Sequence, residues 1–160
     1  MSEQPAADPP SHRPATGHRR RRAARRQALD ILYQADVTGR SPSDVVQEWR
    51  TAGRPVAAYA AEVVQGVLAN LEGIDAILGA NADEWTVPRM AVVDRTILRV
   101  ASYEMLSGVP PAVAISEAVV AAKELSTEDS GRFVNGLLGR IAREASGDEA
   151  RDREAEPSDP

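Results

Sequence analysis

The chain has 160 residues, a net charge of −5, 42% hydrophobic but only 4% aromatic residues, and no cysteine. One ordinary domain or two very small ones fit that length, and core volume must come from Ala, Val, Leu and Ile, which favours close-packed helices over a sandwich. No disulfide framework or thiolate metal site can form, and with both histidines (His12, His18) near the N-terminus a folded zinc or His-based catalytic centre is not expected.

Residues 1–18 are rich in Pro, Ala and polar side chains without periodicity and read as a disordered extension. Then come six arginines in eight positions, Arg19, Arg20, Arg21, Arg22, Arg25 and Arg26, running straight into an amphipathic helix. At about 100° per residue, Ala24, Ala28, Ile31, Leu32 and Ala35 share one arc, while Arg19, Arg22, Arg26, Leu29 and Tyr33 take the other side. Arg21 intrudes on the apolar arc, so the helix is expected to firm up only after Arg22. From His12 to Arg26 there are seven arginines and no acid; the net −5 less these seven leaves −12 for the rest, so the cation is local. Positive charge at a helix N-terminus opposes the macrodipole, at about a few tenths of a kcal/mol per exposed charge. Something other than folding then keeps the run there. Guanidinium forks hold phosphates and an exposed ring receives a base, so single-stranded RNA fits the pattern; a solvated or membrane-surface helix start is the competing reading.

Helix 1 is expected to stop near Thr38-Gly39, and Ser41-Pro-Ser-Asp44 reads as a capping box opening a short helix with Val45, Val46 and Trp49 on one face. After Ala52-Gly-Arg-Pro55, a third helix places Val56, Tyr59, Ala60, Val63, Val64, Val67, Leu68 and Leu71 on one stripe, with Gly66 expected to admit helix 1 closely. Glu72-Gly73 marks the expected boundary between an N-terminal subdomain, 19–72, and a C-terminal one, 73–145. Ile74, Ile77 and Leu78 predict a short fourth helix, and Trp85 before Pro88 is expected to pack the hinge. Helix 5 spans about Arg89 to Leu106 with Val93, Ile97, Leu98, Val100, Ala101 and Met105 on its apolar arc. Gly108 and Pro110-Pro111 separate it from helix 6, lined by Ile115, Ala118, Val119, Ala122 and Leu125. Ser126 to Ser130 supply N-cap residues for helix 7, with Phe133, Val134, Leu137, Leu138 and Ile141 on one stripe. Residues 146–160, six acids and two arginines, read as a disordered acidic tail. The fold expected is all-α, about seven helices in two small packed bundles.

Two carboxylates depart from a plain bundle. Asp94 lies in the apolar arc of helix 5 and Glu104 falls toward it, and a carboxylate on a packing face needs a partner. That partner is either one of the arginines or a second protein docking at Asp94. Arg95, Arg99 and Ser102 gather on another side of helix 5, where a basic patch is expected. Phe133 is either core or, with Arg132, a stacking platform beside Tyr33. The helix carboxylates have no His, Cys or metal-ligand spacing beside them, and no P-loop or G-x-G-x-x-G occurs, so neither an enzyme nor a bound cofactor or metal is expected. No apolar run approaches a membrane span and no secretory signal opens the chain, so a cytoplasmic location is expected.

The stretches Val93-Asp-Arg-Thr-Ile-Leu-Arg99, Ala114-Ile-Ser-Glu-Ala118, Ala122-Lys-Glu-Leu125 and Glu128-Asp-Ser-Gly-Arg-Phe-Val-Asn-Gly-Leu-Leu138 closely resemble the NusB family of transcription antitermination factors, as does the basic opening leading into Ala28-Leu-Asp-Ile-Leu-Tyr33. The resemblance covers roughly Arg19 to Ala145, with a composition of the actinobacterial kind. It implies a helical protein without chemistry that binds the boxA element of ribosomal RNA leaders together with the ribosomal protein NusE. In the elongation complex, with other Nus factors, it promotes read-through of rRNA operons and supports ribosome assembly. By position it implies RNA contacts at Arg19, Arg20, Arg21, Arg22, Arg25, Arg26, Tyr33, Arg99 and Phe133, with Asp129 at the edge, and a NusE contact at Asp94. Some actinobacterial relatives form homodimers able to occlude the RNA face, and an adaptor or homodimer whose basic arm takes an acidic partner is the alternative function. A NusB-like domain also opens certain rRNA cytosine methyltransferases, but those need an α/β cofactor domain downstream.

Overall fold

A computed structural model of the chain describes residues 13–155. Among these, seven α-helices follow one another: α1 (Arg13–Thr38), α2 (Pro42–Thr51), α3 (Ala58–Ala69), α4 (Leu71–Asn81), α5 (Val92–Leu106), α6 (Pro111–Leu125) and α7 (Glu128–Ala155), with a 3-10 turn at Val87–Arg89 before α5. Helices α1, α2 and α3 pack on one another, as do α4 to α7 around α5, and α5 also lies against α1 and α3. This is the all-α pair of bundles read from the sequence, with one continuous core running through both.

Local chemistry accounts for most of the joints. Gly39 adopts φ +69°, which lets the Arg40 N–H reach back to the Ala35 carbonyl at 3.1 Å and close α1. Gly108, at φ +100°, closes α5 in the same way through Val109 and Glu104. Pro42 and Pro111 stand in the first turns of α2 and α6, where no N–H is required. The Ser41 hydroxyl, however, makes no cap bond, so the expected capping box at Ser41 to Asp44 reduces to the proline. At α7, the Thr127 hydroxyl accepts from the Ser130 N–H at 3.1 Å and does the capping.

Several expectations are corrected. Helix α1 already begins at Arg13, well before Arg22, and α7 continues to Ala155 through the stretch read as a tail. The latter lacks an apolar stripe but consists largely of Ala, Glu, Arg and Asp, and its exposed turns carry local pairs such as Arg151 with Asp148. The disorder expected for residues 1–12 and 156–160 lies outside the described residues. Glu72 and Gly73 fall inside α4; the break is the single residue Asn70, whose side chain donates to the Gly66 carbonyl at 2.7 Å while α3 and α4 bend by 73°. Leu29 is buried rather than on the solvent side, because α5 and the end of α6 close over it as Val93, Ile97 and Leu125. At Gly66 a Cβ would overlap the ring of Tyr103, so the close approach there is by α5 and not by α1. Trp85 does not pack a hinge; it is 54% exposed. Among the described residues no single helix is long and apolar enough to cross a membrane.

Candidate nucleic-acid interface

The arginine run is sorted by the neighbours of α1. Arg19, Arg20, Arg21 and Arg22 are exposed, Arg26 is half-buried, and Arg25 is only 5% exposed. Arg25 points into the protein, where its Nε and Nη2 donate to the two oxygens of Glu104, each at 2.7 Å. Glu104, on α5, is itself 1% exposed and also accepts from the Tyr59 hydroxyl at 2.6 Å. Burial works against the Arg25 charge, but the Glu104 fork outweighs it and the guanidinium pKa ends above its ordinary value. Burial, reinforced by the bond to Glu104, pushes the Tyr59 phenol up. Arg25, expected to touch RNA, is therefore a structural cation.

Its neighbours are held more loosely. Arg22 donates from Nε and Nη2 to Glu117 of α6 at 3.0 and 2.8 Å, and this fork lowers the Glu117 pKa. Arg26 pairs with Glu124. The Arg21 guanidinium lies over the Tyr59 ring, 4.5 Å from its centroid. Arg19 and Arg20 have no carboxylate partner among the described residues. The outer part of α1 thus presents cations, and two turns beyond Arg26 comes Tyr33, 43% exposed at the rim of a cleft of about 260 Å³ lined by Leu29, Asp30, Val93, Thr96, Ile97 and Leu125.

The remaining site residues are dispersed. Phe133 is half-buried and lines a different cleft, with Trp85, Arg132, Gly136 and Arg140, so it shares no pocket with Tyr33. Asp129 is exposed at the start of α7 and takes Arg132 at 2.9 Å. The basic patch expected on α5 is neutralised: Arg99 forks onto Asp75 at 2.9 Å through both nitrogens, and Arg95 forks onto Asp36 at 2.7 and 2.8 Å. Asp94 finds neither an arginine nor open solvent. It is 8% exposed, its Oδ2 accepts from the Ser130 hydroxyl at 3.2 Å, and its Oδ1 is buried without a partner. Sequence reasoning missed Glu117 and Tyr59 as anchors. Glu117 stands three residues after Ala114 and four before Ala121, on the packing stripe of α6, and that position was its only signal.

A family model for NusB matches residues 22–143. The chain belongs to the NusB family. A "Transcription antitermination protein NusB" from Salinispora tropica is 47% identical over 132 residues, covering 79% of this chain and 97% of the relative. One from Saccharopolyspora erythraea is likewise 47% identical over 132 residues, covering 76% and 86%. Among solved structures, T. maritima NusB superposes with a TM-score of 0.68 at 34% identity over 78% of this chain and 91% of that one. NusB in a complex of NusB and NusE with double-stranded RNA gives 0.69 at 27% identity, over 78% and 97%. In this member of the family, the exposed Arg19, Arg20 and Arg21 lie just ahead of the matched stretch.

Proposed function

We propose that this member of the NusB family is a transcription antitermination factor that binds boxA-type RNA of ribosomal RNA leaders together with NusE, and so promotes read-through of rRNA operons in the cytoplasm. The observation that carries this reading is one helix bearing exposed guanidiniums at Arg19, Arg20 and Arg21 and, farther along, the exposed ring of Tyr33. The names of its relatives and the NusB–NusE–RNA complex among its structural neighbours support it. The protein acts by binding, without a chemical step. The arginines neutralise phosphates and set the register, which carries no sequence information, while the surface around Tyr33 reads the bases. Phe133 and Asp129, near the start of α7, offer a second and separate contact for the RNA, since Phe133 lines a different cleft from Tyr33.

A shift assay with boxA-type and scrambled RNA, with and without NusE, tests the proposal. Tyr33→Ala should weaken boxA binding by about 1–3 kcal/mol and scrambled RNA by less, whereas the pair Arg19→Ala and Arg20→Ala should weaken both alike. Equal losses in both variants, or no preference for boxA in the unmodified protein, would reject the reading.

A further inference from the structure

Seven arginines without an acid between His12 and Arg26 should not form a helix unaided. Like charges stand at i, i+4 (Arg21 with Arg25, Arg22 with Arg26), a spacing that disfavours the helix. Yet α1 is helical from Arg13 through Arg26. The offsetting charge comes from other helices, and its hub is Glu117. This carboxylate is 6% exposed, receives the Arg22 fork, lies 3.6 Å from Arg25 Nη1 and 3.4 Å from His18 Nε2, and so touches three side chains spaced at i, i+4 and i+7 on one face of α1. Glu124, two helical turns farther on the same helix α6, differs: it is itself exposed and pairs with the half-buried Arg26.

We infer that Glu117 is a positioning residue of the RNA surface: it fixes the first turns of α1 as helix before RNA arrives, and thereby sets where the guanidiniums of Arg19 and Arg20 stand. This rests on the function proposed above. A helix already formed leaves less conformational entropy to lose on binding, so the acid favours a polyanion that it repels at long range. The competing account makes Glu117 a rival of the phosphates for Arg22, and the two accounts predict opposite signs.

The test compares E117Q with E124Q in the full chain, two variants that remove one negative charge each from α6. BoxA-type RNA affinity is measured at fixed salt, and amide hydrogen exchange is followed in the RNA-free proteins. With E124Q, only an exposed acid near a polyanion is lost, and affinity should rise by up to about fivefold. With E117Q, affinity should fall by about tenfold, the scale of refixing one residue's backbone. Amides of residues 19–25 should exchange faster in E117Q while those of Leu98 and Val100 in α5 stay protected. A rise in affinity for E117Q, or unchanged exchange in residues 19–25, overturns the inference even where the unmodified protein prefers boxA. Loss of protection in α5 as well would make Glu117 a general structural residue and overturn it too. If the unmodified protein shows no RNA preference, the proposed function fails first, and the exchange data are then read without it.

Discussion

The guanidinium of Arg25 and the carboxylate of Glu104 form a two-point fork, 2.7 Å on each side, in a place that solvent scarcely reaches. A pair like this contributes little net stability over a well-packed apolar substitute, because both ions had to leave water. Breaking it from one side is another matter, since Glu104 would be left buried with only the Tyr59 hydroxyl to face. Arg25→Ala should therefore lower unfolding free energy by about 3–5 kcal/mol in a urea titration. Arg19→Ala, six residues earlier and exposed, should stay within about 0.5 kcal/mol. Similar losses in the two variants would mean that Arg25 is not the buried cation described.

Gly66 offers a second stability contrast. Alanine is normally the better helix former by about 1 kcal/mol, and Gly73 of α4 has open space where a Cβ would go. Gly73→Ala should accordingly raise the thermal midpoint. At Gly66 the Tyr103 ring fills that space, so Gly66→Ala must push α5 from α3 and should cost about 1–3 kcal/mol despite the propensity gain. Calorimetry of the two variants beside the parent checks the pair of signs.

These contrasts show what could be read before the structure. Spacing alone placed Val63, Val64, Val67, Val134 and Leu138 in the core, because each lies on a stripe at helical period facing a single apolar neighbourhood. Gly39 was legible as a stop because a positive φ has few other occupants. Leu29 and Arg25 were not, since a helical wheel ranks positions on one helix and cannot count the helices around it. With α5 against one flank of α1 and acids reaching it from α5 and α6, the buried arc widens until it takes in a leucine and an arginine from the polar side. Glu104 was legible as a carboxylate in need of a cation, but not which cation. Asp94, flagged by the same argument, met a serine on α7 instead, because the start of that helix is set by the α6–α7 joint and not by charge.

The sorting of arginines changes the salt dependence expected of RNA binding. The arginine count alone suggests about four engaged phosphates and a slope of log K against log[salt] of about −3. In the fold, Arg25 is withdrawn, Arg22 and Arg26 hold Glu117 and Glu124, and Arg19, Arg20 and Arg21 lack carboxylate partners among the described residues. Three phosphates on single-stranded RNA, at about 0.7 each, give a slope of about −2. A titration that returns about −3.5 would mean that RNA strips Arg22 and Arg26 from their acids, and a flat response would remove the electrostatic component altogether.

Asp94 carries the last prediction, a pH dependence. Burial raises its carboxyl pKa above the ordinary range, and the single bond from Ser130 only partly counteracts this. A raised acid binds its proton more tightly in the folded state, so between the ordinary carboxylate value and the raised one the native protein holds more protons than the unfolded chain. Stability then falls as pH climbs through that window, and at neutral pH the fold bears the full cost of the buried charge. Glu117 and Asp36 work in the opposite direction, because their arginine forks depress their pKa values and their contribution is lost only as pH drops through the depressed ones. The parent curve mixes both effects, but the difference between Asp94→Asn and the parent isolates one. Unfolding free energies measured at matched pH should show the variant gaining on the parent as pH rises from the acid side, then running level once Asp94 is fully ionised. A difference that stays constant across the acid range would mean that Asp94 titrates as an ordinary surface carboxylate.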